Sequence, residues 1–292
     1  MSQVLAKNQG GSIVPGVSPA IYSQADFDRI AALIGRESGI VLSDGKRMLA
    51  YSRLSPLLRR NQCITFAEYL SLIESDADLL NKTVAALTTN HTYFNREPHH
   101  FDHFRDNLRT ELVTRLMGGG SVRIWSAGSS SGEEIWTLLS YFLGSDKAEG
   151  RRIASKDLVV LASDLAEHAI AAGKAATYAS KAIEPMPEDL RSNWTRAQGD
   201  ERVIVDEMRN LVRFRQLNLL GDWPLRSLFD VIFCRNVMIY FDNPTKERLV
   251  ARFAQQLQPG GYLYIGHSER VSGPATRLLE PCGPTVYRRV AQ

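Results

Sequence analysis

The chain has 292 residues, of which 44% are hydrophobic and 23% charged, and its formal net charge is +3. Those proportions exclude the disordered and fibrous classes, and the length predicts two domains rather than one. No stretch approaches the roughly 18 unbroken apolar residues of a membrane helix, and residues 1–18 carry no secretory leader pattern. The three cysteines, Cys63, Cys234 and Cys282, are too scattered for a disulfide framework or a zinc cluster, and the small net charge gives no sign of a nucleic-acid partner. A cytoplasmic protein without membrane insertion is expected.

Residues 1–20 are rich in glycine and proline, lack a sustained period and read as a loose leader. From Asp26 to about Leu87 the apolar positions fall at helical spacing: Phe27, Ile30 and Ile34, then Phe66, Tyr69, Leu70 and Ile73. Thr65 followed by Glu68 is a capping box that starts the second of these helices. Residues 21–88 therefore predict an all-helical N-terminal domain, and residues 89–120 a linker and connecting helix. That helix runs from about Pro98 to Met117 through Phe101, Phe104, Leu108, Leu112 and Leu116, and Gly118-Gly119-Gly120 ends it.

Beyond the glycines the period changes. Val122–Trp125, Leu158–Leu161 and Phe229–Phe233 are short apolar runs separated by helical segments, the mark of a mostly parallel sheet. Residues 121–292 thus predict an α/β, Rossmann-like doubly wound domain. Tyr262–Ile265 supplies a further strand and Thr285–Tyr287 a last edge strand. Val203–Val205 and Leu211–Phe214 fall outside the main rhythm and read as a small inserted β-subdomain over about 182–214.

In such sheets a ligand lies beyond the carboxyl ends of the strands, near the point where strand order reverses. After Trp125 comes Ser126-Ala-Gly-Ser-Ser-Ser-Gly-Glu-Glu134, a small-residue turn into a helix N-terminus. Its Gly128 to Gly132 spacing does not fit a dinucleotide fingerprint, and Glu133 with Glu134 would repel a pyrophosphate but suit a cation such as a sulfonium. The same glycines could simply make a tight turn. Asp164 ends the next strand, where ribose hydroxyls are gripped, and it could equally cap the following helix. Arg235 and Asn236 leave the buried run at Phe233. The stretch Leu87-Thr-Thr-Asn-His-Thr-Tyr-Phe-Asn-Arg-Glu-Pro98 is polar and aromatic, and its plain reading is an interdomain connection. His99 and His103, one helical turn apart, lack the HExxH order and a third ligand, so no metal is expected and both imidazoles should face solvent. Lys46, Arg47, Arg53, Arg59 and Arg60 form a basic segment: either a solvated helix face or a docking site for an acidic partner.

Leu87–Phe101 as a whole, Trp125-Ser-Ala with Gly132-Glu-Glu134, Ala162-Ser-Asp164, Leu217-Asn-Leu-Leu220, Phe233-Cys-Arg-Asn-Val-Met-Ile-Tyr-Phe-Asp242 and Gly266-His-Ser-Glu269 together resemble the CheR family of chemotaxis receptor methyltransferases, over about residues 22–290. The resemblance implies a class I methyltransferase domain that uses S-adenosyl-L-methionine, releases S-adenosyl-L-homocysteine and methylates glutamate side chains on the cytoplasmic helices of methyl-accepting chemotaxis receptors. Carried over by position, it implies cofactor contacts at Asn90, Thr92, Arg96, Glu133, Asp164, Asn218, Leu219, Arg235 and Asn236. It implies Arg96 and Tyr240 at the reacting groups, and receptor docking by the five basic residues. The sequence departs from familiar members at His91, Asn95 and Ser55-Pro56. A catalytically silent scaffold of the same fold is the rival reading, and retention of Asp164, Arg96, Asn236 and Tyr240 speaks against it. A nucleic-acid methyltransferase lacks support, because the fourth strand ends in Arg-Asn-Val-Met rather than an Asn/Asp-Pro-Pro-aromatic run. Some family members tether themselves to a receptor's C-terminal peptide through the β-subdomain; here the turn between Arg196 and Arg202 is short and carries Asp200 and Glu201, so independence from that tether is expected.

Overall fold

The computed structural model describes residues 13–88 and 90–290, and the chain divides into two compact units at Thr89/Asn90. The first 12 residues of the expected leader lie outside the described part. Residues 13–20 form turns, with Val14 buried, so this portion is not loose.

Among its described residues the N-terminal unit contains four α-helices: α1 (Gln24–Ser38), α2 (Arg47–Arg60), α3 (Phe66–Ile73) and α4 (Ala77–Leu87). Ser23 and Asp26 form a capping box on α1, and Thr65 and Glu68 form the expected one on α3. Phe27, Ile30, Ile34, Leu54, Phe66 and Tyr69 are almost fully buried, and each such side chain contributes about 1.5–3 kcal/mol by leaving water. Pro56 does not stop α2; the helix continues to Arg60.

The second unit opens with α5 (His99–Asn107) and α6 (Arg109–Met117), not with one continuous helix. A single residue, Leu108 at φ −116°, separates them. There follow β1 (Val122–Ala127), α7 (Glu133–Leu143), α8 (Lys147–Ala154), β2 (Leu158–Asp164), α9 (Glu167–Ala175), β3 (Thr177–Ala179), α10 (Glu188–Trp194), β4 (Thr195–Gln198), β5 (Glu201–Ile204), α11 (Asp206–Arg209), β6 (Val212–Gln216), β7 (Phe229–Cys234), α12 (Asn243–Gln256), β8 (Leu257–Ile265), β9 (Leu279–Gly283) and β10 (Val286–Arg289).

Seven strands make one sheet in the order β6-β2-β1-β7-β8-β10-β9. The first five run parallel, β10 runs antiparallel to both of its neighbours, β8 and β9, and β9 thus points the same way as the first five. Ile124 of β1 stands beside Val160 of β2 and Val231 of β7, which aligns the carboxyl ends of all three strands. Strand order reverses between β1 and β7, so the crevice of this fold opens there. Asp230 is tolerated in the fully buried β7 because Arg115 and the Arg123 amide donate to its two oxygens, each at 2.7 Å.

Two expectations need correction. Leu211–Phe214 is not part of an inserted ribbon: β6 pairs with β2 in the main sheet, while β3, β5 and β4 form a separate three-stranded sheet. The added sheet therefore spans Thr177–Ile204 rather than reaching 214. Nor is the last strand at the edge. β9 pairs outside β10 and closes the sheet there, its Pro281 acceptable because an edge strand has a side free of ladder bonds.

Candidate active site

The turn after β1 is built from backbone that suits glycine. Gly128 lies at φ +83° and Gly132, the cap of α7, at φ +96°. A Cβ on Gly128 would stand 2.4 Å from Val237 Cγ2, and one on Gly132 would stand 2.9 Å from Trp136 Nε1 and 3.1 Å from Tyr178 Oη. The amides of Gly128 and Ser129 donate to the Ser163 carbonyl at the end of β2, each at 2.8 Å. The Ser130 amide donates to Asp164 Oδ2 at 2.8 Å, and the Ala166 amide to Oδ1 at 2.9 Å. Asp164 is buried; desolvation pushes its carboxyl up, against the N–H donors that stabilise its charge. It is thus not the cap of α9, which Ala166 provides.

Glu133 and Glu134 begin α7 but do different things. Glu133 accepts from the Ser131 hydroxyl at 2.7 Å, and burial raises its pKa. Glu134 is turned inward: Ser126 donates to its Oε1 at 2.7 Å, and its Oε2 stands 3.4 Å from Arg235 Nε. The pair of acids expected to face a cationic ligand is therefore reduced to Glu133, since Glu134 spends its charge on Arg235.

Residues 90–98 are not a plain connection. Ser130 Oγ donates to the Asn90 carbonyl at 3.1 Å, the Asn95 amide donates to Thr137 Oγ1 at 3.1 Å, and Phe94 is fully buried edge-on to Tyr178. This fastening lays the half-buried Asn90, Thr92 and Arg96 along the second unit. Arg96 donates through Nη1 to the His91 carbonyl at 2.8 Å and lies over the Tyr93 ring.

At the end of β7, Arg235 is only 6% exposed, lies over the Phe101 ring and donates to the Arg96 carbonyl. Its Nη1 is buried without a hydrogen-bond partner, as is Ser129 Oγ. Asn236 follows at φ +59° and donates through Nδ2 to Glu97 Oε1 at 3.2 Å. Glu97 also accepts from His267 Nδ1 at 2.9 Å. Burial alone would raise its pKa, but His267, Arg235 and Asn236 outweigh it and hold the carboxyl down at about 2. His100 is the converse: burial and the Arg235 charge lower its pKa to about 3, so the ring is neutral. Glu269, 5% exposed, gathers the backbone amides of Gly266, Asn236, Met238 and Ile239 around its two oxygens. This clamp holds the chain that leads to the half-buried Tyr240, at the end of the 3₁₀ turn Met238–Tyr240.

After β6 the Leu217 amide donates to the Asp164 carbonyl at 2.9 Å, carrying Asn218 and the buried Leu219 beside the end of β2. Asn218 Oδ1 accepts from the Leu220 amide, and the Leu219 carbonyl accepts from Trp223 and Arg252.

Hydrogen bonds thus join Asn90, Glu133 and Asp164 through Ser130 and Ser131, and join Arg96, Arg235 and Asn236 through Glu97 and the Arg96 carbonyl. Glu97, Glu269 and Ser130 stand inside the quoted motifs but carry no expected role of their own, and Glu134, expected to face the ligand, instead meets Arg235. The five basic residues belong to the N-terminal unit. Arg53 Nη1 donates to the carbonyls of Leu87 and Thr88, at the end of α4, and Arg47 pairs with Asp44 at 3.0 Å. These two have structural tasks, whereas Lys46, Arg59 and Arg60 are exposed. The expectation of two solvent-facing imidazoles at His99 and His103 also fails for one of them: His103 Nδ1 is 2.9 Å from the Tyr264 hydroxyl.

A sheet whose order reverses at β1, with a glycine-shaped turn after β1 and an acid after β2, is the ligand-binding arrangement of doubly wound folds, and the match of its domain model places this one in the class of S-adenosylmethionine-dependent methyltransferases. Residues 90–287 match the model of the CheR methyltransferase SAM-binding domain, and residues 25–88 that of the CheR methyltransferase all-alpha domain. The chain belongs to the CheR methyltransferase family. It is 41% identical over 262 residues to a probable chemotaxis protein methyltransferase of Rhizobium etli, covering 88% of this chain and 96% of that one. It is 36% identical to chemotaxis protein methyltransferase 2 of Pseudomonas aeruginosa, with 91% and 93% covered, and 37% identical to the chemotaxis protein methyltransferase of Escherichia coli K12, with 91% of each covered.

Proposed function

We propose that this protein transfers the methyl group of S-adenosyl-L-methionine to glutamate side chains on the cytoplasmic helices of bacterial chemoreceptors, working in the cytoplasm. The observation that carries this reading is that Asp164 at the end of β2 and Arg235 and Asn236 at the end of β7, with Arg96 linked to them, stand on the two strands that flank β1, beside which strand order reverses. The partnerless buried donor at Arg235 Nη1 suits a ligand carboxylate, and the residual acceptor capacity of Asp164 suits ribose hydroxyls. Asn90, Thr92, Glu133, Asn218 and Leu219 would complete the cofactor's surroundings.

When bound, S-adenosylmethionine supplies an electrophilic methyl group on a sulfonium. The acceptor glutamate, with an ordinary pKa of about 4.3, arrives ionised and needs no general base. Arg96 and Tyr240 would hold that carboxylate in line by charge and hydrogen bonding, and such positioning supplies roughly 7–11 kcal/mol of a barrier. Two opposite charges disappear as ester and thioether form, so exclusion of water by Phe101, Phe94 and the clamp around Glu269 favours the step. Labelled methyl transfer to membranes bearing candidate receptors, followed by release of the label in base, tests the reading. Binding of S-adenosylhomocysteine without base-labile product on any receptor would favour the silent scaffold instead.

The exposed Lys46, Arg59 and Arg60 are the cations available to meet an acidic receptor surface. We also infer that docking does not need a receptor C-terminal peptide: Gln198 pairs with Glu201, leaving only Gly199-Asp200 as the turn between β4 and β5. Calorimetric titration with such a peptide should give no heat, and saturable binding would refute this part.

A further inference from the structure

At the start of α5 two lone pairs face each other. His100 Nε2 stands 3.3 Å from the Pro284 carbonyl and 2.9 Å from Thr285 Oγ1, whose own proton goes to that carbonyl at 2.8 Å. A carbonyl only accepts, so Nε2 carries the ring proton and the neutral ring presents a bare Nδ1. That atom lies 3.5 Å from Glu97 Oε2, and both are buried without a hydrogen-bond partner. His99, exposed, sets its ring 4.2 Å from that of His100 at a tilt of 51°, and one ligand atom from each of Glu97, His99 and His100 lies within 4.8 Å of the others.

From this juxtaposition we propose that Glu97, His99 and His100 form a binding site for a divalent transition metal of the zinc type, with water completing the coordination. Two ligands about 2.05 Å from a tetrahedral ion stand about 3.3 Å apart, close to the observed 3.5 Å between His100 Nδ1 and Glu97 Oε2. Two imidazoles and one carboxylate are a donor set that zinc accepts. The supporting contacts are of the kind metal ligands have: Pro284 and Thr285 fix the tautomer of His100, while Asn236 Nδ2 and His267 Nδ1 hold the other oxygen of Glu97. Arg235 Nε, 3.9 Å from Glu97 Oε2, opposes a cation. Glu97, Glu134 and Glu269 surround that guanidinium and only Arg96 adds to it, so the neighbourhood holds three carboxyl groups against two guanidiniums. A single water donating to both lone pairs is the competing way to satisfy them.

Titration of the metal-stripped full-length protein with zinc chloride separates the two. The site predicts one equivalent bound in the micromolar range or tighter, and cobalt(II) in its place should give a tetrahedral d–d spectrum without the sulfur charge-transfer bands that Cys63 or Cys282 would add. His99→Ala, on an exposed side chain that should not disturb folding, should weaken binding by about tenfold or more, whereas His91→Ala should leave it unchanged. Absence of stoichiometric binding, sulfur bands in the cobalt spectrum, or equal affinity in wild type and His99→Ala would each overturn the proposal in favour of the water.

Discussion

Replacing Glu269 by glutamine keeps the shape of the side chain but breaks the clamp that holds the ends of β7 and β8. The carboxylate takes four backbone N–H groups: those of Gly266 and Asn236 on Oε2, and those of Met238, at 2.7 Å, and Ile239. Glutamine retains one acceptor and aims an NH2 group at donors it cannot bond. Hydrogen bonds to a charged acceptor contribute about 1.5–3 kcal/mol each, so losing two costs roughly 3–6 kcal/mol. Removing a buried charge offsets part of that, which leaves a net loss of about 2–3 kcal/mol. All four tryptophans, Trp125, Trp136, Trp194 and Trp223, lie in the second unit, so their fluorescence during urea unfolding reports on that unit alone. Turnover should also fall, because Asn236 and Tyr240 sit on the released segment. An unfolding free energy within about 0.5 kcal/mol of wild type, together with unchanged turnover, would show that the amides do not depend on the charge.

Asp164→Ala should weaken S-adenosylhomocysteine binding by about tenfold or more in calorimetry, while Tyr240→Phe should bind it normally and lower kcat. Gly132→Ala, forced into φ +96° with its methyl 2.9 Å from Trp136 Nε1, should lose about 1–3 kcal/mol of stability by urea unfolding. Charge reversal of Arg59 and Arg60 together should reduce receptor methylation and its salt dependence without changing cofactor affinity, whereas reversal of Arg53 should also lower the melting temperature by stranding the carbonyls of Leu87 and Thr88.

The ends of β1, β2 and β7 were legible because strands buried on both faces read as unbroken apolar runs, and the ligand-facing residues follow them directly. The edges were not. In β6 the exposed Arg213 and Arg215 alternate with the buried Val212 and Phe214, a pattern equally natural in a separate ribbon. In β9, Pro281 and Gly283 disguise a strand. Leu108 carries no glycine or proline signal, so the break between α5 and α6 left no trace in the periodicity. The acids were hidden for another reason. Glu97 and Glu269 look like ordinary surface residues until tertiary contacts bury them, and Glu134 reads as ligand-facing until Arg235, more than 100 positions away, meets it; Glu97 likewise depends on the distant Asn236.

Val237 fills the space that a side chain on Gly128 would need, its Cγ2 only 2.4 Å from where a Cβ there would be. The turns after β1 and β7 are therefore cut to one another, although more than 100 positions separate them in the chain. Loop grafts between relatives ought to be made in pairs: a β1 turn imported from a homologue with a bulkier residue at this glycine will fit only when the β7 turn of the same homologue comes with it.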